Sequence, residues 1–185
     1  MKIIRFALKF IFVFLFFYLL TKLVIALAAP DGKYYSSIID NYFDYVSWLK
    51  LSYMNGASWV ASAYGYSTIH MPDFILIIKG GRGVHIAYDC IGYGVMSFWL
   101  AYVLSSDSVL KIKLIWSIIG LVLIWLINVI RIGFFLVAIN KGWNMPLNID
   151  HHTWFTIMAY AAIFILMWIK EKKDNLSLKK KNEHE

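Results

Sequence analysis

One cysteine, one arginine within an apolar run and two adjacent histidines are the residues of this sequence that could do chemistry together. Cys90 is the only cysteine in 185 residues, so it has no partner for an intrachain disulfide. A thiol is nucleophilic as its thiolate, which forms most readily beside a cation or a histidine at a water-accessible position. With Arg131 and either His151 or His152, Cys90 supplies the parts of nucleophilic acyl transfer: an activated sulfur, a cation for the oxyanion and a base that protonates the leaving amine.

Each of these residues also has a purely structural interpretation. Cys90 fits a small buried hydrophobic residue in a helix, Arg131 fits a basic residue at the end of a span, and the histidines fit a helix start at the membrane surface. Residues 132–139 stay apolar beyond Arg131, however, and a charge between two apolar stretches usually faces a bundle interior. Asn128 lies three residues earlier on the same helical face, which suits a residue that orients the guanidinium or the thiol.

The composition indicates which solvent surrounds these residues. Hydrophobic residues make up 61% of the chain, aromatic residues 18% and charged residues only 16%, which is far more apolar than a soluble domain. The net charge of +7 does not indicate nucleic acid, because the basic residues lie at the ends of apolar runs and in the C-terminal tail, where they set membrane topology. The lipid bilayer is therefore the expected partner of most of the surface.

Four apolar runs predict an all-α integral membrane protein built as a four-span helical bundle. The spans cover about residues 10–29, 90–106, 112–139 and 152–169. They form one domain, residues 1–170, followed by a charged cytoplasmic tail at residues 171–185 that is expected to be disordered. A signal peptide competes with the first span, but the run is long for one and contains Lys22, so a retained helix is favoured.

The extracytoplasmic segment, residues 30–89, is predicted to be folded. Apolar residues at helical spacing predict an amphipathic helix from Ser36 to about Met54, ended by Asn55-Gly56, and a second short helix over residues 59–66.

Two short apolar runs later in the same segment, residues 74–78 and 84–88, flank a glycine-rich turn. They predict a short β-hairpin that leads the chain to Cys90. The turn lacks the lysine and hydroxyl residue of a phosphate-binding loop, so no nucleotide is inferred.

Lysine and arginine at the span ends orient the bundle with both termini in the cytoplasm. Cys90 then begins the second span at the outer face, and the histidine pair begins the fourth at that face. Arg131 follows Lys111 by 20 residues, a helical rise of about 30 Å that carries it across the hydrocarbon core. The three groups are therefore expected to meet at one depth on the outer side.

These residues carry a resemblance to a known family. Cys90-Ile91-Gly92 at the head of one span, the stretch from Asn128 to Ile132 at the outer end of the next, and a histidine opening the last span resemble the three motifs of the exosortase/archaeosortase family. Members are multi-pass transpeptidases of substrates that carry a C-terminal sorting signal. The resemblance covers about residues 85–165. The chain lacks the additional N-terminal spans of larger members, and its paired histidines leave two choices for the third motif.

The resemblance implies a cysteine transpeptidase or protease of the cytoplasmic membrane with an extracytoplasmic site. Cys90 would be the nucleophile and Arg131 the family's arginine; His152 is preferred as the histidine, because Thr156 follows it by one turn where the family tends to have glycine, and His151 is the alternative. Its partners would be substrate proteins that end in a motif, a transmembrane helix and a basic cluster. No metal or cofactor is required.

Two other classes of function stay open from the sequence. A metal or haem site could use Cys90 and Asp150 with four histidines, although no HExxH or CxxC spacing supports it; the histidines are His70, His85, His151 and His152. A non-catalytic membrane scaffold or assembly partner would use the same polar residues only to pack the bundle.

Overall fold

The chain is mostly helical, with one small sheet between its second and third helices. The computed structural model describes residues 2–30, 32–143 and 151–182, without the side chains of residues 2, 151–156, 159 and 174–182. The helices are α1 (Lys2–Ala28), α2 (Tyr45–Ala63), α3 (Tyr93–Ser105), α4 (Leu110–Lys141) and α5 (His151–Asn182). The strands are β1 (Thr68–Met71), β2 (Ile75–Ile78) and β3 (Gly83–His85), and shorter helical turns cover Ile39–Phe43, Pro72–Phe74 and Tyr88–Ile91.

Two helices within the described ranges are long and apolar enough to cross a membrane, Ile3–Ala28 and Leu110–Lys141. They correspond to the first and third predicted spans. The second predicted span, residues 90–106, contains only the 13-residue helix α3. At about 1.5 Å per residue α3 extends roughly 20 Å, less than the hydrocarbon core of about 30 Å. Four full-length spans are therefore not shown.

Helix α5 contains the fourth predicted span and continues beyond it. The prediction that residues 171–185 are disordered is wrong as far as Asn182, because α5 ends there. Residues 171–182 contain five lysines and two leucines, which favour a helix once one has been started.

Helix α2 is a single helix, and the predicted break at Asn55-Gly56 is wrong. Residues 59–63 of the predicted second helix are its C-terminal turns. The predicted start at Ser36 is also wrong, because α2 begins at Tyr45, after the separate helical turn Ile39–Phe43. A glycine inside a helix costs about 1 kcal/mol relative to alanine, but Gly56 lies directly against α4. A Cβ atom there would come 2.7 Å from both methyl groups of Val129. The missing side chain therefore allows α2 and α4 to pack closely.

The sheet has three antiparallel strands in the order β1-β2-β3. Strands β2 and β3 form the predicted hairpin, with Leu76 opposite Val84, whereas β1 was not predicted. The hairpin turn is bound to the end of α4, because the Asn140 side chain accepts a hydrogen bond from Arg82 N at 2.7 Å and donates one to Arg82 O at 3.1 Å. The sheet therefore lies over the C-terminal half of α4.

Two buried apolar clusters hold these elements together. The larger lies between α2, α4 and the sheet, and it includes Tyr53, Leu76 and Leu136, none of which has exposed surface. The smaller lies between α3, α4 and α5 around Trp99, whose indole donates a hydrogen bond to Trp116 O at 3.0 Å. The segment that carries Cys90 connects the sheet to α3 and packs against the larger cluster.

Candidate active site

Cys90 lies in a tight turn before α3 and not inside a helix. The turn, a 3₁₀ helix over Tyr88–Ile91, is closed by a hydrogen bond from Cys90 N to Ala87 O at 3.0 Å. Gly92 follows in the left-handed conformation, with φ 74°, and separates the turn from α3. The expectation that Cys90 begins the second span is thus corrected: the helix begins three residues later, at Tyr93. The cysteine is half-buried.

Two buried side chains hold the carbonyl group of the residue after the cysteine. The Ile91 oxygen accepts hydrogen bonds from the Tyr53 hydroxyl at 2.9 Å and from Asn128 Nδ2 at 3.2 Å. Burial raises the pKa of Tyr53, opposed by the hydrogen bond from Asn128, so the phenol stays protonated and can donate. The Cys90 turn is therefore fixed to α2 and α4 together.

Gly92 is required at its position for two reasons. Its positive φ favours glycine, and a Cβ atom there would come 2.8 Å from Asn128 Nδ2. The cysteine motif and the asparagine motif therefore lie against each other, although Gly92 and Asn128 are 36 residues apart in the chain. The sequence indicated Asn128 as a residue that orients the guanidinium or the thiol. In the structure its amide bonds the turn that carries the thiol.

Arg131 lies one helical turn after Asn128, and both line a cavity of about 240 Å³. Asp89 and Gly92 of the cysteine segment line the same cavity, which we call the Arg131 cavity. The arginine is half-buried. Cys90 is not among the described lining residues, although Asp89, directly before it, and Gly92, two residues after it, are. The structure thus brings the cysteine segment and Arg131 to the same cavity.

The histidines are the part of the predicted site that the structure does not address. The side chains of His151 and His152, and that of Thr156, lie outside the described residues. Helix α5 begins at His151, and Tyr160 of the same helix lines the Arg131 cavity. The choice between the two histidines stays as the sequence left it.

A buried lysine near the cysteine was missed by the sequence analysis. Lys50 is only 3% exposed, and its ammonium lies 3.4 Å from the ring centre of Tyr88 and 4.7 Å from that of Phe74. Burial lowers the pKa of Lys50, and the negative charges of Asp44 and of an ionised Cys90 act in the opposite direction. The cation is therefore within electrostatic reach of the thiol.

The signal for Lys50 was present in the helical pattern. The buried residues of α2 include Val46, Lys50, Met54, Ala57 and Ala61, so the lysine occupies a regular position in an apolar stripe. A lysine at such a position either extends its ammonium to water or is held by a specific environment. The observed environment is two aromatic rings, whose faces attract a cation.

A comparison of the chain with models of protein families, with curated proteins and with solved structures finds no match.

Proposed function

We propose that this chain is an exosortase-like membrane cysteine transpeptidase or protease that cleaves and sorts substrate proteins at a C-terminal sorting signal. The observation that carries the proposal is the paired hydrogen bonding of the Ile91 carbonyl. It explains in physical terms why a Cys-Ile-Gly sequence and an asparagine one turn before an arginine occur together. The contact between two motifs that resemble those of one family supports the proposal.

The proposed setting is the outer face of a four-span bundle in the cytoplasmic membrane, with both termini in the cytoplasm. Helices α1 and α4 have the length and composition of spans. In the proposal α3 and α5 supply the other two, α3 crossing together with its flanking residues. The Lys113 ammonium donates a hydrogen bond to Leu104 O at 3.1 Å, which joins the ends of α3 and α4 opposite the Cys90 turn. A basic residue at that end is typical of the cytoplasmic side.

The proposed reaction begins with attack of the Cys90 thiolate on the carbonyl carbon of the scissile peptide bond. The resulting tetrahedral oxyanion is stabilised by the charge and the paired N–H groups of Arg131. The C–N bond then breaks, His152 or His151 donates a proton to the leaving amine, and a thioester remains on Cys90. An amine or water adds to the thioester carbonyl and transfers its proton to the histidine. Release of the thiolate completes the cycle.

The test is co-expression of the chain with candidate substrates that end in a motif, a transmembrane helix and a basic cluster. Wild-type protein should shorten the substrate, seen as a shift in gel mobility and in intact mass. Cys90→Ser should abolish this processing while membrane insertion and yield stay normal, since the change is nearly isosteric. Processing that persists in Cys90→Ser would remove the thiol from the mechanism and favour the scaffold hypothesis.

A reactivity measurement gives an independent check on the same thiol. A half-buried cysteine in a turn that borders the Arg131 cavity should react with a maleimide or iodoacetamide at neutral pH. A thiol that stays unmodified in the folded protein, while the denatured protein reacts fully, would indicate a packing role only.

A further inference from the structure

A second cavity borders the Cys90 turn and has no part in the proposed reaction. It has a volume of about 470 Å³ and is lined at the turn by Ala87 and Tyr88. Ala28 and Pro30, at the end of the membrane-length helix α1, form another part of its wall. We call it the Lys50 cavity. Its volume is in the range of small-molecule sites, and the end of a membrane-length helix is where lipid headgroups begin.

Two buried groups of opposite charge face this cavity without pairing directly. Lys50 is 3% exposed and Asp44 is 6% exposed. One Asp44 oxygen caps α2 by accepting a hydrogen bond from Ser47 N at 3.0 Å. The other oxygen and the Lys50 ammonium make no hydrogen bond or ion pair to each other or to the rest of the described chain. The Lys50 ammonium keeps its contacts with the two aromatic rings, but neither it nor the second Asp44 oxygen is among the fully enclosed, unpartnered polar atoms of the described residues, so both atoms are open to the cavity.

The remaining polar residues of the wall favour a ligand that carries both charges. Asp40, Asp73 and His85 also line the cavity. A simple anion would meet Lys50 but be repelled by three carboxylates, and a simple cation would be repelled by Lys50. No three His, Cys, Asp or Glu side chains of the described residues come close enough together to hold a metal ion.

We propose that the Lys50 cavity binds a small zwitterion that carries a primary ammonium group and an anionic carboxylate or phosphate. The ammonium group contacts Asp44, and the anion contacts Lys50. Two sources have this chemistry: the phosphoethanolamine headgroup of a membrane lipid and a free amino acid. The site does not depend on the proposed reaction, because it consists of residues that the reaction does not use.

The test measures binding of O-phosphoethanolamine and of glycine by calorimetric titration of the full chain in phosphatidylglycerol nanodiscs. At least one of the two should bind, and ethanolamine and inorganic phosphate, which each carry charge of a single sign, should bind at least tenfold more weakly. Lys50→Met and Asp44→Asn should each weaken binding by at least about tenfold, the order expected when one partner of a buried charge contact is removed. Asparagine can still cap α2, so that variant keeps its fold.

The matched control is Lys79→Met, which removes an exposed lysine that lines a different cavity of the same extramembrane segment. It should bind like wild type.

Replacing the lipid by phosphatidylethanolamine distinguishes the two sources. If the free probe no longer binds, the lipid headgroup occupies the cavity. If it binds unchanged, the cavity takes a free amino acid or a free phosphoethanolamine. Any of three results would overturn the proposal: neither zwitterion binds, ethanolamine or inorganic phosphate binds as tightly as the zwitterions, or binding is unchanged in both cavity variants.

Discussion

The Arg131 cavity and the Lys50 cavity both border the same four-residue turn, and the described lining of each includes a cationic side chain. Arg131 is half-buried, and its guanidinium stays protonated at all physiological pH values. Lys50 is almost fully buried, and its pKa is lowered mainly by that burial. An accessible arginine keeps a fixed charge and a planar set of donors for a reacting group. A buried lysine instead lowers the stability of the fold unless a ligand or a neighbouring anion compensates its charge.

The largest effect is expected from Arg131→Lys, which tests whether the shape of the side chain matters in addition to its charge. Arg131→Lys keeps a cation but loses the planar fork of N–H donors, so processing should fall by about a hundredfold to a thousandfold, the loss seen when one oxyanion donor is removed. Expression should be unchanged. The measurement is the processing rate at equal protein level.

Lys22→Arg and Lys141→Arg are the matched controls for that substitution. Lys141 lies over Tyr64, away from the site, and Lys22 lies over Tyr18, which lines the Arg131 cavity, so the two controls exchange one cation for another outside the cavity and beside it. Both variants should process substrate at close to the wild-type rate. Near-normal turnover by Arg131→Lys would show that the planar donors are not needed, and the catalytic role proposed for Arg131 would be wrong.

A glycine pair tests whether the turn between the cavities is held against α4. Gly92→Ala should lose about 1–2 kcal/mol from its left-handed conformation and a further 1–3 kcal/mol or so from overpacking against Asn128. Gly80→Ala has almost the same φ, 73°, but no atom within 4 Å of the new Cβ, so it should lose only the first amount. Thermal unfolding in detergent, followed by circular dichroism, gives both values. Equal losses would show that the contact with Asn128 is unimportant.

A smaller effect is expected for the hydrogen bond from α2 to the turn. Tyr53→Phe leaves the buried ring in place and removes the donor to Ile91 O, so stability should fall by about 1 kcal/mol. Because Asn128 still bonds the same oxygen, the turn should stay formed and processing should decrease less than in Arg131→Lys. A loss of processing as large as that of Arg131→Lys would show that the Tyr53 bond positions the cysteine.

The smallest effect is expected at Lys50 in the absence of ligand. The pKa of Lys50 is lower in the folded chain than its ordinary 10.5. The folded state therefore binds the proton less tightly than the unfolded state, and the resulting loss of stability is present at neutral pH and disappears as the pH rises toward 10.5. Lys50→Met should raise the melting temperature by about 2 °C at pH 7, with a smaller gain at pH 10. A pH-independent gain, or a loss, would contradict an uncompensated buried charge.

The sequence by itself determined the long helices α1 and α4, because each is a continuous apolar run whose backbone groups are satisfied within the helix. The hairpin of β2 and β3 also followed from local pattern, since two apolar runs flank a glycine-rich turn. For the site, the sequence indicated Cys90, Asn128 and Arg131 from residue type and spacing. Their predicted chemistry stays a prediction.

The tertiary structure alone decided the contacts between residues distant in the chain. The uninterrupted helix α2 depends on the approach of Gly56 to Val129, and a local pattern contains no information about a neighbour 73 residues away. Strand β1 depends on its pairing with β2. The support of Ile91 by Tyr53 joins residues 38 positions apart. The helical pattern puts Lys50 in an apolar stripe, but only the fold places its ammonium over two aromatic rings, because the packed neighbours decide whether a long side chain reaches water.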